Sequence, residues 1–176
     1  APSLPFAEFT GFWGKSGTSQ GAVSNRYVTR QGNQLVVDGK VVKLKGYNYY
    51  PGSMTRWGFW LRGVNLLQVR KDFTLAQKDG ANLVRLFLNY DELGGPQVDP
   101  ALLNNFQSVL KIARDLNLRV TVTLMDGPRD YTDLDSHRRH LKAVVERFKA
   151  EPAIVYWSLR NESDNHWMLK GYDPEL

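Results

Sequence analysis

The chain of 176 residues has no cysteine, so no disulfide can brace it. No apolar run approaches the length of a membrane-spanning helix, and no membrane partner is expected. The segment Asn48-Tyr49-Tyr50-Pro51-Gly52-Ser53-Met54 follows the first core strand and is not a glycine-rich phosphate cradle. That argues against a doubly wound nucleotide-binding sheet. Neither a cofactor nor a metal is expected. The net charge is +5 and the pI about 9.5. Bases are interspersed with acids, so no nucleic-acid groove is expected. The densest basic cluster, His137-Arg138-Arg139-His140, reads as the solvated face of a helix. The chain begins Ala-Pro-Ser-Leu-Pro, with no Met and no signal peptide. That fits a processed protein, secreted or extracytoplasmic, or a trimmed one.

The length is enough for one ordinary domain with a real core. Aromatics are abundant: five tryptophans and eight tyrosines. Such rings suit flat amphipathic ligands such as sugars, and the competing reading is that they fill the core.

Residues 1–29 read as an extended arm or linker, rich in Gly, Ser and Thr. Residues 30–176 carry the folded unit. Asp38-Gly39-Lys40 joins two β-rich runs, Asn33–Val37 and Val41–Leu44, and Asp-Gly there signals a hairpin. A strand over about 41–47 then leads to a helix over about 65–79, ended by Asp79-Gly80. The next strand is Asn82–Leu88. Asp99 and Pro100 open a helix that runs to about Asn117. Arg119–Met125 is the third strand, a helix spans about 133–149, and Ala153 starts the fourth strand. Strands and helices alternating at this spacing mean right-handed βαβ units and a parallel sheet. Four such units make half of a (β/α)8 barrel.

The fourth strand, Ala153-Ile154-Val155-Tyr156-Trp157-Ser158-Leu159-Arg160, ends in Asn161-Glu162. The C-terminal ends of parallel strands are where α/β folds place their chemistry. A glutamate fixed there suits general acid/base work. Arg85 sits inside an apolar strand and cannot shed its charge, so it needs a carboxylate partner or a wet cleft. It either serves the site or pairs with a neighbouring Asp for structure. Asp126, in Met125-Asp126-Gly127-Pro128, is an active-site loop residue or bonds its own turn. Trp57 and Trp60 follow the first strand and Trp167 the fourth, so all three would rim one cleft.

Four segments occur in this order: Val36-Val37-Asp38-Gly39-Lys40, Leu44-Lys45-Gly46-Tyr47-Asn48-Tyr49, Asn82-Leu83-Val84-Arg85 and Trp157-Ser158-Leu159-Arg160-Asn161-Glu162. Over residues 30–167 this resembles the N-terminal half of a clan A glycoside hydrolase, close to family five. The resemblance implies a TIM barrel and retaining hydrolysis of a β-linked glycan or β-glycoside. Glu162 would be the acid/base, Asn161 the amide on the sugar 2-hydroxyl, and Arg85 the support of the nucleophile carboxylate. Asn48, Tyr49, Trp57, Trp60, Asp126 and Trp167 would line the substrate, and the Asp38-Gly39 hairpin would plug the barrel. Many relatives carry a histidine near the end of the third strand, where this chain has Met125-Asp126-Gly127. The family's nucleophile glutamate follows the seventh strand, beyond Leu176. A complementary C-terminal half-barrel is therefore the expected partner. The alternative is a self-associating half-barrel that binds carbohydrate without hydrolysing it.

Overall fold

Two tight turns build the first unit of the fold. In the computed structural model, which describes residues 27–52, 58–127 and 132–162, β1 (Thr29–Gln31), β2 (Gln34–Val37) and β3 (Lys40–Val42) form an antiparallel meander. Asp38 and Gly39 both take positive φ, 52° and 75°. That is the backbone of a two-residue hairpin matched to the twist of its strands. β1 begins at Thr29, inside the segment read as an arm; residues 1–26 of that arm lie outside the described residues. Val36 is the buried residue of the meander. The Asp38 carboxylate acts on Arg119, which starts the third parallel strand and whose pKa burial pulls down and Asp38 pushes back up. The hairpin therefore lies at the N-terminal end of the parallel sheet.

The strand expected over 41–47 is two strands. β3 ends at Val42, and β4 (Gly46–Tyr49) starts afresh in the parallel sheet. Asn82 makes the break. Its Nδ2 donates to the Lys43 carbonyl at 2.8 Å, and its Oδ1 accepts from the Lys45 N–H at 2.9 Å. A side chain thus satisfies the backbone where the chain changes sheets. Gly46 follows because a Cβ there would collide with the Leu83 backbone.

β4, β5 (Leu83–Asn89), β6 (Arg119–Asp126) and β7 (Ile154–Arg160) are parallel and lie side by side in chain order. Between them run α1 (Leu66–Lys78), α2 (Pro100–Asp115) and α3 (Leu134–Phe148). Each helix starts on a side-chain cap: Asn65 accepts from Gln68 N–H, Asp99 from Ala101 N–H and Asp133 from Ser136 N–H. α2 stops two residues before the expected Asn117, which instead takes the left-handed φ of 58° that closes the helix.

Alternation along the strands separates two faces. Val84, Leu86 and Leu88 of β5, with Val120, Val122 and Leu124 of β6, pack in one core with Phe73 of α1, Phe106 and Leu110 of α2, and Val144 and Phe148 of α3. Each fully buried Leu or Phe contributes about 1.5–3 kcal/mol. The other face of the same strands carries Arg85, Phe87 and Asn89, then Thr121 and Thr123. That sequence of side chains is polar and aromatic, as in the lumen of a barrel. β4 and β7 each have a single neighbour among the described strands.

The basic cluster on α3 is only half solvated, which corrects the expectation. Arg138 and Arg139 are exposed, but His137 and His140 are buried. His140 Nδ1 lies 2.7 Å from the Gly95 carbonyl, and the Tyr90 ring packs against both imidazoles. Residues 137 and 140 are one helical turn apart and share the inward stripe. No helix among the described residues is long and apolar enough to cross a membrane.

Candidate active site at the C-terminal ends of the strands

Arg85 is the hub. It lies mid-strand in β5, level with Asn48 of β4 and Thr121 of β6. Its Nε donates to Thr123 Oγ1 at 2.9 Å, and one terminal nitrogen donates to Asn161 Oδ1 at 3.3 Å. The guanidinium sits 4.5 Å from the centre of the Phe87 ring. Among the described residues no carboxylate forms an ion pair with it. The alternative of a structural Arg–Asp pair is therefore not what the described residues show. The charge rests on neutral acceptors and a ring face, and its remaining donors are left for other partners.

Next to it Tyr50 ends β4. Its ring stacks on Phe87 with centroids 4.4 Å apart and planes 16° apart. Its hydroxyl donates to Asp126 Oδ2 at 3.3 Å. Burial pushes the Tyr50 phenol well above its ordinary range, and the Asp126 carboxylate adds to this. Asp126 ends β6 and is 5% exposed. Burial raises its pKa; the Tyr50 hydrogen bond and Arg85 work against that, Glu162 reinforces it, and Arg160 opposes it. Asp126 therefore does not simply bond its own turn. It is coupled electrostatically to Arg85, Arg160 and Glu162. Asn161 is half-buried, and Glu162 is exposed with a left-handed φ of 48°. That conformation is uncommon for a residue with a Cβ and marks where the strand's path is broken.

Asn89, which the sequence reading passed over, holds the loops around this cluster. It is 4% exposed. Its Oδ1 accepts from the Asp91 and Glu92 N–H groups at 3.0 and 3.1 Å. Its Nδ2 fills the space beside Gly58 and Gly127, where an added Cβ would stand 2.8 and 2.4 Å from that nitrogen. Three loops, after β4, β5 and β6, thus close on one amide. The available signal was a polar residue ending an apolar strand, together with Asp126-Gly127 ending the next.

Of the expected substrate-lining residues, Asn48 is exposed on β4, in register with Arg85. Two others are corrected. Tyr49 is 1% exposed, donates its hydroxyl to Asp72 at 2.8 Å and packs edge-on against Trp60 and Phe73. Trp60 is 2% exposed, and its indole N–H donates to the Phe87 carbonyl at 2.8 Å. Both belong to the core, because Tyr49 alternates with Asn48 and Tyr50 and so faces the helices. Trp57 and Trp167 lie outside the described residues. No group of three or more His, Asp or Glu among the described residues is arranged to hold a metal ion.

No family model and no curated protein matches the chain. Solved structures do. An exo-β-1,4-mannosidase from Opitutaceae bacterium strain TAV5 superposes with a TM-score of 0.61 at 17% identity, over 82% of this chain and 28% of its own. An endo-1,4-β-mannanase from Eisenia fetida gives 0.60 at 15%, over 78% and 45%. A family 5 glycoside hydrolase from Bacteroides vulgatus gives 0.54 at 16%, over 81% and 34%. This chain has the fold of the first half of a glycoside hydrolase barrel. The half-barrel spans less than half the length of each of these three proteins. At such identities the likeness fixes the fold and leaves the chemistry to the residues.

Proposed function

We propose that the half-barrel supplies the acid/base side of a retaining β-glycoside hydrolase, with a β-mannoside the first substrate to test. The observation that carries this is the link from Arg85 to Thr123 and to Asn161, the residue before Glu162, at the end of a parallel strand. Glu162 protonates the leaving oxygen and then deprotonates the incoming water. Asn161 holds the sugar 2-hydroxyl. Arg85 orients the nucleophile glutamate, which a complementary half-barrel provides about 5–5.5 Å from the acid/base. Three features support a complementary half. Among the described strands β7 is paired on one edge only. Tyr156 and Leu159 stand 52% and 62% exposed on it. An apolar cavity of about 480 Å³ lies between α3 and β7, lined by Met125, Leu134, His137, Leu141 and Leu159 among others. Open edges and uncovered apolar faces drive association.

The test is hydrolysis of a panel of aryl β-glycosides by the 20.1 kDa chain, with and without a complementary half, after intact-mass analysis of the sample. Turnover is expected only with the complement. Turnover by the verified single species, abolished by Glu162→Gln, would show that the second carboxylate comes from this chain or a second copy of it.

A further inference from the structure

Asp126 is a buried carboxylate short of hydrogen-bond donors. A carboxylate accepts up to about four hydrogen bonds. Among the described residues the Asp126 side chain receives one, from Tyr50, at 3.3 Å. That is long for an O–H···O bond, which runs about 2.5–3.0 Å. Neither Arg85 nor Arg160 forms an ion pair with it among the described residues. Burying such a group without partners costs free energy, and its raised pKa is the same shortage met from the proton's side. The group is not loose, because Tyr50 is stacked on Phe87 and the glycines flanking Asp126 in space, Gly58 and Gly127, are packed on Asn89.

A ligand hydroxyl can supply the donor that Tyr50 alone does not. A cationic ligand is disfavoured, since Arg85 and Arg160 already act on this carboxylate. An anionic one is disfavoured by Asp126 and Glu162 together. A neutral polyol meets both conditions, and its hydroxyls are the donors required.

We propose that Asp126, oriented by Tyr50, is a specificity-determining residue that accepts a hydrogen bond from one free ring hydroxyl of a neutral sugar, so that glycans esterified at that hydroxyl are refused. This rests on the carbohydrate reading of the site. An ester removes the donor and sets acceptor against acceptor. Sites built to bond a substrate hydroxyl discriminate strongly against analogues that lack it. A glycan acylated there becomes a ligand only after an esterase has acted on it.

The experiment is an NMR titration of the 176-residue chain with methyl β-mannoside, each of its monodeoxy analogues and the corresponding O-acetyl esters. It is run on wild type, Asp126→Asn and Tyr50→Phe. In wild type one deoxy analogue should bind about tenfold more weakly than the parent, or worse, with the ester at that position no better. In Asp126→Asn that penalty should vanish while the penalties at other positions persist, which is a coupling that mere loss of structure does not produce. Tyr50→Phe keeps the ring stack, and it should shrink the same penalty. An unchanged deoxy pattern in Asp126→Asn overturns the proposal. Should that variant not fold, an unchanged pattern in Tyr50→Phe overturns it instead. Wild type binding no sugar at all overturns this inference, and turnover of the aryl β-glycosides with the complement then decides the carbohydrate reading separately.

Discussion

Replacing Arg85 by methionine separates an arginine kept for chemistry from one kept for the fold. In the half-barrel its charge has hydrogen bonds to Thr123 and Asn161 and the Phe87 ring beneath it, and no ion-paired carboxylate among the described residues. Hydrogen bonds from a charged donor are worth about 1.5–3 kcal/mol at best. The bond to Asn161 is long, and the ring contact adds about 0.5–2 kcal/mol. Against this stands a desolvation penalty of several kcal/mol for a partly buried ion with no carboxylate at ion-pair distance among the described residues. The two sides nearly cancel. Methionine fills similar space; the buried Thr123 hydroxyl loses one donor, and the half-buried Asn161 amide can turn to solvent. The isolated Arg85→Met chain should therefore lie within about 1 kcal/mol of wild type, or above it.

Urea unfolding followed by tryptophan fluorescence measures this. With a slope of about 2 kcal/mol per molar, the midpoint should move down by no more than about 0.5 M. In the two-part enzyme proposed above, the same substitution should lower kcat by more than about 100-fold, because the proposed nucleophile would lose the charge that orients it. Arg85→Lys should recover little of this, since an ammonium lacks the planar fork that holds two acceptors at once. A midpoint drop beyond about 1 M would refute the reasoning, for a loss of about 2 kcal/mol means that the guanidinium anchors the sheet.

The parts of the fold legible in the sequence were those set by local chemistry. Asp38-Gly39, Asp79-Gly80 and Asp99-Pro100 each state a turn or a cap in two residues, and the structure has a hairpin, a helix end and a helix start there. Repeating β and α patterns gave the parallel order of β4 to β7. The broken strand at Lys43–Lys45 was not legible, because Asn82, about forty residues on, makes the break. A contact over that distance leaves no mark on local pattern. The half-buried histidine cluster was misread for a related reason. Four polar residues in a row look solvated until helical spacing sorts them into two faces.

The candidate site divides the same way. Arg85, Asp126, Asn161 and Glu162 were singled out because each interrupts or ends an apolar strand, and the structure brings them within electrostatic or hydrogen-bond reach of one another. Tyr49 and Trp60 were assigned to the ligand on residue type and loop position. Alternation would have sent Tyr49 to the helix side and left Tyr50 facing Asp126, as the structure has it. Asn89 has no sequence motif. Its importance comes from the absence of Cβ atoms at Gly58 and Gly127, two residues remote from each other in the chain.

Three further outcomes check these assignments. Trp60→Phe should cost about 1–3 kcal/mol in a urea or thermal melt, because the buried Phe87 carbonyl loses its indole donor; an unchanged melt would return Trp60 to the ligand side. With the complement present, Glu162→Gln should slow glycosides with poor leaving groups far more than activated aryl glycosides, which need less proton assistance; equal losses would mean that Glu162 is not the acid. The last concerns His140, whose imidazole is fully buried. Burial lowers its pKa from 6.5, the Gly95 carbonyl opposes this, His137 adds to it, and the Leu124 carbonyl opposes again. Among the described residues Nε2 has no acceptor in good hydrogen-bond geometry. Above pH 6.5 the histidine is neutral in both folded and unfolded chains and adds no slope. Below it the unfolded chain takes up a proton that the folded chain resists, so stability falls with pH until the folded imidazole protonates too. His140→Asn keeps an N–H for the Gly95 carbonyl and removes the titration, so its melting temperature should vary less between pH 7 and pH 5 than that of wild type. The raised pKa of Asp126 carries the opposite sign: its contribution is greatest at low pH and is lost as the carboxyl ionises, and it is common to both proteins. Equal acid slopes in the two proteins would show that His140 does not set the acid limit of the fold.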